Sequence, residues 1–252
     1  MPTLRHFLLT AALLATVALT TTAASAQSPT GGDTSFDGLV LPFKNVVVSS
    51  PVQSTIVAIN VKEGDHVVAG EVLARLYSRL EELDMLRAKA DLDKKEFDAS
   101  SSKNLYSEKI ISEDEALKNR SEVVGARLVY QMAQETFEQR SIVAPIPGIV
   151  VEKLSEVGET VTPAQPMFRI VDISKVYVQF YVRAEELPFI HVKDPMLVRC
   201  PVLDPDRVYP GIVDFVDPRV DAASGLLRVK VIVENPDGAI RAGVRADVSF
   251  AK

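Results

Sequence analysis

Two stretches of the chain, "PVQSTIVAINVKEGDHVVAGEVLARL" from Pro51 to Leu76 and "PIPGIVVEKLSEVGETVTPAQPMFRI" from Pro145 to Ile170, lie 94 residues apart and align without a gap. Gly64 falls on Gly158 and Val67 on Val161. Val, Ile and Thr alternate with polar residues in both, so each copy reads as short strands broken by turns. "EGD" fits a tight turn in which Gly64 takes φ > 0, and "EVGET" places Gly158 in the same role. One copy of about thirty residues cannot bury enough apolar surface to fold alone. The repeat therefore predicts one β-sandwich built in halves.

Between the copies the chemistry changes. No Pro occurs from 52 to 144, and Gly125 is the only Gly between 71 and 147. Glu, Lys, Ala, Leu and Gln dominate, which predicts two helices over about Ser78–Ser102 and Ser112–Gln139. Leu83, Ala90 and Phe97 recur every seven residues with Leu80 and Leu86 alongside, and Leu117, Val124, Leu128 and Met132 mark a face of the second helix. Such narrow apolar stripes suit a two-helix coiled coil in water. Ser112 followed by Glu115 is a capping box that starts the second helix, and "NLYSEKII" is the break. An antiparallel hairpin returns the chain to where it left, as an insertion into a split module requires. At about 1.5 Å per residue each helix is roughly 40 Å long.

From Val176 to the end the chain is β again. "KVYVQFYVR", "MLVRC", "YPGIVDFVD", "LRVKVIVE" and "VRADVSFAK" are short strands separated by "DPDR", "AAS" and "NPDG", a spacing that predicts a small barrel or sandwich. "AEELPFIHV" supplies one short helix.

The first 26 residues read as a cleaved signal peptide: Arg5 and His6, an apolar run from Phe7 to Leu19, then "ASAQ". The run is shorter than the roughly 20 residues a spanning helix needs. No cysteine follows it closely, which excludes a lipoprotein anchor; Cys200 is the only one in the chain and forms no internal disulfide. Removing this segment shifts the formal charge from −6 to −7. That acidity argues against a nucleic-acid partner, which requires a basic face. No second apolar stretch approaches spanning length, so a soluble mature chain is expected.

Half-motifs of the type G-D/E-x-V with flanking strands resemble a lipoyl or biotinyl carrier domain. The order half-module, helical hairpin, half-module, then a β-domain with "NPDGAIRAGVRADVSF" resembles the periplasmic adaptor subunits of bacterial tripartite efflux systems, the membrane fusion or HlyD-type family. The resemblance runs from about Phe36 to Lys252. It implies an elongated mixed α+β fold: a split lipoyl-like β-sandwich with an inserted antiparallel α-helical hairpin, then a small β-barrel. The division is 1–26 signal peptide, 27–44 N-terminal segment or strand, 45–77 and 141–173 the two half-modules, 78–140 the hairpin and 174–252 the barrel. It also implies a periplasmic, non-catalytic protein linking an inner-membrane transporter, proton-driven or ATP-driven, to a TolC-like outer-membrane duct. Self-association into a ring is expected, and attachment to the inner membrane through the partner. Fuller family members add a membrane-proximal β-domain from both chain ends. Only Gln27 to Phe43 is available for it here, so that domain is expected to be absent or rudimentary.

The candidate site is the hairpin tip. Leu105, Tyr106, Ile110, Ile111 and Ser112 place an apolar group at the far end of a polar arm, where exposed apolar residues mark interaction sites. Such residues can also close the hairpin on themselves. Many adaptors dock through a tip pattern R-x3-L-x6-S; Leu105 and Ser112 fit it, but its Arg position holds Ser101, with Lys103 out of register. Other chemistry is thin. A carrier's modified lysine belongs at the turn that the arm replaces, so Lys62 and Lys153 read as solvated and no cofactor is expected. His66 and His191 are isolated, and Met85, Met132, Met167 and Met196 are scattered, so no metal site is expected. No G-x-S-x-G, H-E-x-x-H or phosphate loop is present. Acid runs such as Glu81-Glu82 and Glu113-Asp114-Glu115 read as solvated helix faces. The rival class, a periplasmic substrate-binding or metal-chaperone protein, would need an apolar pocket or a Met/His cluster that the sequence does not display.

Overall fold

A computed structural model describes residues 35–251, so the expected signal peptide and residues 27–34 lie outside the described residues. The order of elements is β1 (Ser35–Ser49), β2 (Ser54–Ile59), β3 (His66–Val67), β4 (Val72–Leu76), α1 (Arg79–Ser107), α2 (Glu113–Glu138), β5 (Ser141–Val143), β6 (Gly148–Lys153), β7 (Thr160–Val161) and β8 (Pro166–Arg183). A 3-10 turn over Ala184–Phe189 leads to β9 (Pro195–Cys200), β10 (Asp204–Val216), β11 (Leu226–Glu234) and β12 (Arg245–Phe250).

The two copies of the repeat fold together by exchanging bonds. The Gly64 amide donates to the Val150 carbonyl at 2.8 Å, and the Gly158 amide donates to the Ile56 carbonyl at 2.9 Å. Val150 N–H donates to Asp65, and Ile56 N–H donates to Glu159. Every partner in one half has its counterpart 94 residues away in the other. The core obeys the same offset: Ile56 and Val150, Val67 and Val161, Leu73 and Met167, Ala74 and Phe168, Leu76 and Ile170 are all buried in one cluster. Neither half completes its turns or its core without the other, which is why one copy would not fold.

Gly64 and Gly158 have φ of +92° and +93°, in turns locked by side chains: Asp65 accepts from Lys62 N–H at 2.9 Å and Glu159 from Glu156 N–H at 3.1 Å. The symmetry is imperfect one turn later, where Gly70 has φ +84° but its counterpart Ala164 is held at +64°. An L-residue there costs about 1–2 kcal/mol, and glycine's extra chain entropy costs about 0.5–1 kcal/mol. Ala164→Gly is therefore expected to stabilise the chain by about 0.5 kcal/mol or slightly more, read as a higher urea midpoint at unchanged slope; a lower midpoint would contradict this reading.

Six strands close the second module in the order β1, β12, β9, β10, β11, β8, with β8 pairing back onto β1. Its core takes the alternate residues Val176, Val178, Phe180 and Val182 of β8 and Val229, Val231 and Val233 of β11, with Phe36 stacked on Phe180 at 5.2 Å between centroids. Strands β1 and β8 run unbroken through both modules. The divisions expected at residues 44/45 and 173/174 thus fall inside continuous strands. The stretch from Ser35 to Phe43, read from sequence as an N-terminal segment or strand, is part of a barrel strand, paired with β12 and β8.

Candidate partner-binding site at the hairpin tip

The hairpin grows out of the β4–β5 ribbon, whose register continues as Leu76 N–H donates to the Arg140 carbonyl at 2.8 Å. At this root Arg140 Nη2 meets Glu81 Oε1 at 2.5 Å, and Nη1 donates to the Gln53 carbonyl at 3.2 Å. One guanidinium thereby ties α1, the end of α2 and the sandwich together. Both side chains of the pair are largely buried, where such a tie resists bending more than an exposed pair would.

Above the root the helices meet along a seam unlike the expected one. On α1 the least exposed positions are Glu81, Met85, Ala88, Leu92, Lys95, Ala99 and Ser102; on α2 they are Ala116, Asn119, Val123, Ala126, Tyr130, Ala133 and Phe137. Both runs alternate steps of three and four, the coiled-coil spacing. The stripe read from sequence as the coiled-coil face points the other way. Leu83, Ala90 and Phe97 follow the seam positions by two residues, a rotation of about 200°. Phe97 is 70% exposed and Met132 71%. The seam mixes small and large side chains, Ala88, Ala99, Ala116, Ala126 and Ala133 beside Met85, Leu92, Tyr130 and Phe137, and polar pairs finish it: Lys95 Nζ to Glu122 at 2.6 Å, and Asn119 to Ser102 Oγ at 2.5 Å. The hydrogen bond and charge of the first pair hold the Glu122 carboxyl below its usual pKa and Lys95 above its own.

The tip is built by two helix ends. Helix α1 continues five residues beyond the expected Ser102, so Leu105 and Tyr106 sit on its last turn and not in the break. The turn closes as Lys109 N–H donates to Tyr106 and Ile110 N–H to Leu105, with Lys109 at φ +61°. Ser112 is the N-cap of α2, its Oγ accepting from Glu115 N–H at 3.2 Å, and Glu113, Asp114 and Glu115 fill the first turn where the helix dipole favours acids. All five candidate residues fall at this end. Leu105, Tyr106 and Ile110 are exposed, Ile110 at 63%, Ile111 is half-buried and Ser112 is exposed. Ser101 lies half-buried one helical turn before Leu105. Gly64 and Gly158 lie in the sandwich and serve its turns.

A second concavity is an open cleft of about 1190 Å³ at the junction of sandwich and barrel, lined by residues such as Val68, Ile149, Ile173 and Pro236. Buried Asp172 lies on it and accepts from Ser174 N–H and Oγ. Nothing in the sequence pattern brought these residues together; they meet only because β1 and β8 carry two modules past one another. Among the described residues, no group of three or more His, Cys, Asp and Glu side chains could hold a metal ion, and no helix is long and apolar enough to cross a membrane.

Residues 44–172 match the model of the CzcB-like barrel-sandwich hybrid domain, and residues 175–252 that of the CusB-like beta-barrel domain. The chain belongs to the membrane fusion protein family of periplasmic adaptors. Relatives of this adaptor include the nodulation protein NolF of Rhizobium meliloti, 26% identical over 82% of this chain and 60% of its own length. The nickel-cobalt-cadmium resistance protein NccB of Alcaligenes xylosoxydans xylosoxydans is 29% identical over 78% of the chain and 51% of its own length. The chain thus spans about half of these relatives. Among solved structures, a MacA-MexA chimera carrying the Pseudomonas aeruginosa MexA α-hairpin superimposes with a TM-score of 0.73 at 21% identity, covering 87% of this chain and 79% of that one. MacA from Actinobacillus actinomycetemcomitans gives 0.57 at 20% identity, covering 87% and 78%. Neither domain match indicates an enzyme.

Proposed function

We propose that this adaptor bridges an inner-membrane efflux transporter and an outer-membrane exit duct in the periplasm, and performs no catalysis itself. The observation that carries the reading is the tip: apolar side chains exposed at the end of an arm about 43 Å long, far from any core that could bury them. The expected experiment is in-cell photo-cross-linking from position 106. Adducts to an outer-membrane duct protein support the bridge despite Ser101; self-adducts alone would sink it.

The outward stripes support a second element of the proposal, a ring of copies. Leu83, Ala90 and Phe97 lie on the outer edge of α1, and Leu117, Val124 and Leu128 follow the seam of α2 by one or two residues on its outer edge. Apolar stripes on opposite edges suit head-to-tail packing, which closes into rings. Lys95 faces Glu122 and Ser102 faces Asn119, so Phe97 and Val124 stand at about equal height. The double variant Phe97→Cys/Val124→Cys should oxidise into a ladder of covalent oligomers, and each single variant should not. A ladder absent from the double variant counts against the ring.

The rival reading, a periplasmic binding protein, draws on the cleft beside Asp172. Micromolar heat of binding for a drug-like ligand, lost on Asp172→Asn, would favour it; a flat titration leaves the bridge as the reading.

A further inference from the structure

The hairpin and the sandwich share no core. Neither α1 nor α2 contributes a residue to the buried cluster of the sandwich or to the side chains packed against it. The arm is joined to the body only by two short crossings of the chain, residues 77–78 going out and residues 139–140 coming back. Each crossing brings its own soft φ and ψ angles. Ser78, the N-cap of α1, makes no side-chain cap bond that would stiffen the first of them. The arm amplifies any freedom at this root: over its length of about 43 Å, a tilt of about 10° carries the tip about 7 Å.

One side chain stands against that freedom. Among the described residues, Glu81 is the one helix residue whose side chain bonds outside the two helices, and its partner is Arg140 Nη2. Nη1 of the same guanidinium donates to the carbonyl of Gln53, just before β2 in the sandwich. The backbone of Arg140 is held as well, its N–H donating to Phe137 at 3.0 Å and its carbonyl accepting from Leu76 at 2.8 Å. A planar fork with two donors aimed at two bodies fixes their mutual orientation, which a point charge does not. Stability does not account for the arrangement. The pair is largely buried, and the Arg140 Nε–H is buried without an acceptor among the described residues. Desolvation of such a pair roughly offsets its attraction, and apolar residues of similar volume commonly serve stability as well or better. The other cross-helix pairs, Lys95–Glu122 and Arg127–Glu96, are more exposed and join helix to helix only.

We infer that Arg140 is a positioning residue for the arm: with Glu81 and the Gln53 carbonyl it sets the angle at which the hairpin leaves the sandwich, and so the place where the tip stands. Its use in docking rests on the bridge reading, to which it adds the residue that aims the arm. Glu81, read from sequence as part of a solvated acid run, is the group that the guanidinium holds.

The test is a spin-label distance measurement on the full chain carrying Lys62→Cys in the sandwich and Glu108→Cys at the tip. Both positions are exposed, while Cys200 is buried and stays unlabelled. The distance distribution should be narrow in this parent and about twofold broader in Arg140→Met/Glu81→Leu, with the thermal midpoint unchanged or higher. Arg140→Lys should broaden it too, since one ammonium does not span both acceptors, and it is the variant to read if the double variant does not fold. Duct adducts from a photoreactive group at position 106 should fall about tenfold alongside, because a wandering tip is seldom in the docking pose. A distribution as narrow as the parent's in the variants would overturn the assignment. So would broadening with a lowered midpoint in the double variant, which would make the pair an ordinary stabilising contact. Undiminished adducts despite the broadening would overturn it as well, since docking would then not need the angle. The two levels separate cleanly. Duct adducts in the parent with unchanged distances in the variants remove the positioning role and leave the bridge; broadened distances with no duct adducts in the parent remove the bridge and leave the positioning of the arm.

Discussion

Leu105→Asp is expected to abolish duct adducts from a photoreactive group at position 106 and to stop export, while the thermal midpoint stays within about a degree of the parent. Leu105 is exposed on the last turn of α1 and packs into neither of the two cores. Its replacement therefore removes nothing the fold depends on, and surface changes of this kind lie within about 0.5 kcal/mol. Docking is another matter. An apolar anchor buried at an interface centre is worth about 2 kcal/mol or more, roughly thirty-fold in affinity, and a carboxylate left without a partner there adds its desolvation cost. The acids Glu113, Asp114 and Glu115 fill the first turn of α2 beside the tip, so the variant adds a fourth carboxylate to this end of the hairpin. Retained adducts and retained export in the variant would show that the tip closes on itself. A lowered midpoint would instead show that Leu105 belongs to the hairpin's own packing.

The second large effect concerns the sandwich. Phe168→Ala should lower stability by about 3–5 kcal/mol, the usual cost of emptying a buried phenylalanine site. For a chain of this size that moves the midpoint by roughly 10 °C. Phe168 is fully buried on β8, and its counterpart in the repeat is Ala74. Both lie in one buried cluster, so the large residue is supplied by one half only and alanine there leaves a cavity. The compensating double variant Phe168→Ala/Ala74→Phe tests this directly: recovery of more than about half the loss would mean that the pseudo-symmetric positions exchange roles. An unaffected midpoint in the single variant would mean that the sandwich and barrel do not share their stability through β8.

The same strand explains which parts of the fold were legible. The 94-residue repeat, its glycine turns and the capping serine are local patterns, and their bonds appear where the residues imply. The heptads of the hairpin were legible as helix but not as seam. Leu83 and Phe97 have the right period for a core, and so do Ala88 and Lys95 on the opposite side of the helix. Periodicity cannot choose between two stripes of the same spacing, and the polar pairs Lys95–Glu122 and Ser102–Asn119 that mark the true seam cannot be paired until the helices are placed side by side. The helix break was misplaced for a related reason: "NLYS" has no strong helix breaker, and propagation continued until Lys109 turned left-handed.

The candidate site divides similarly. The tip residues could be named in advance because a loop between two helices must lie at their end. The root of the arm could not. Gln53, Glu81 and Arg140 are far apart in the chain, and Glu81 looks like one acid of a solvated run. Only the return of α2 onto the β4–β5 ribbon brings Arg140 to the other two.

What the sequence determined by itself was the set of parts and their order: two half-modules, the arm between them and the strands that follow, because turn chemistry, period and repeat act over a few residues to a few tens. What only the tertiary structure decided was which face each part turns outward and where one module ends. Strands β1 and β8 each serve two cores, since backbone hydrogen bonding continues wherever a partner strand is available. Burial then falls to whichever face the closing of the barrel encloses, and that choice depends on strands from the two ends of the described chain, such as β1 and β12, in combination and not on any one stretch.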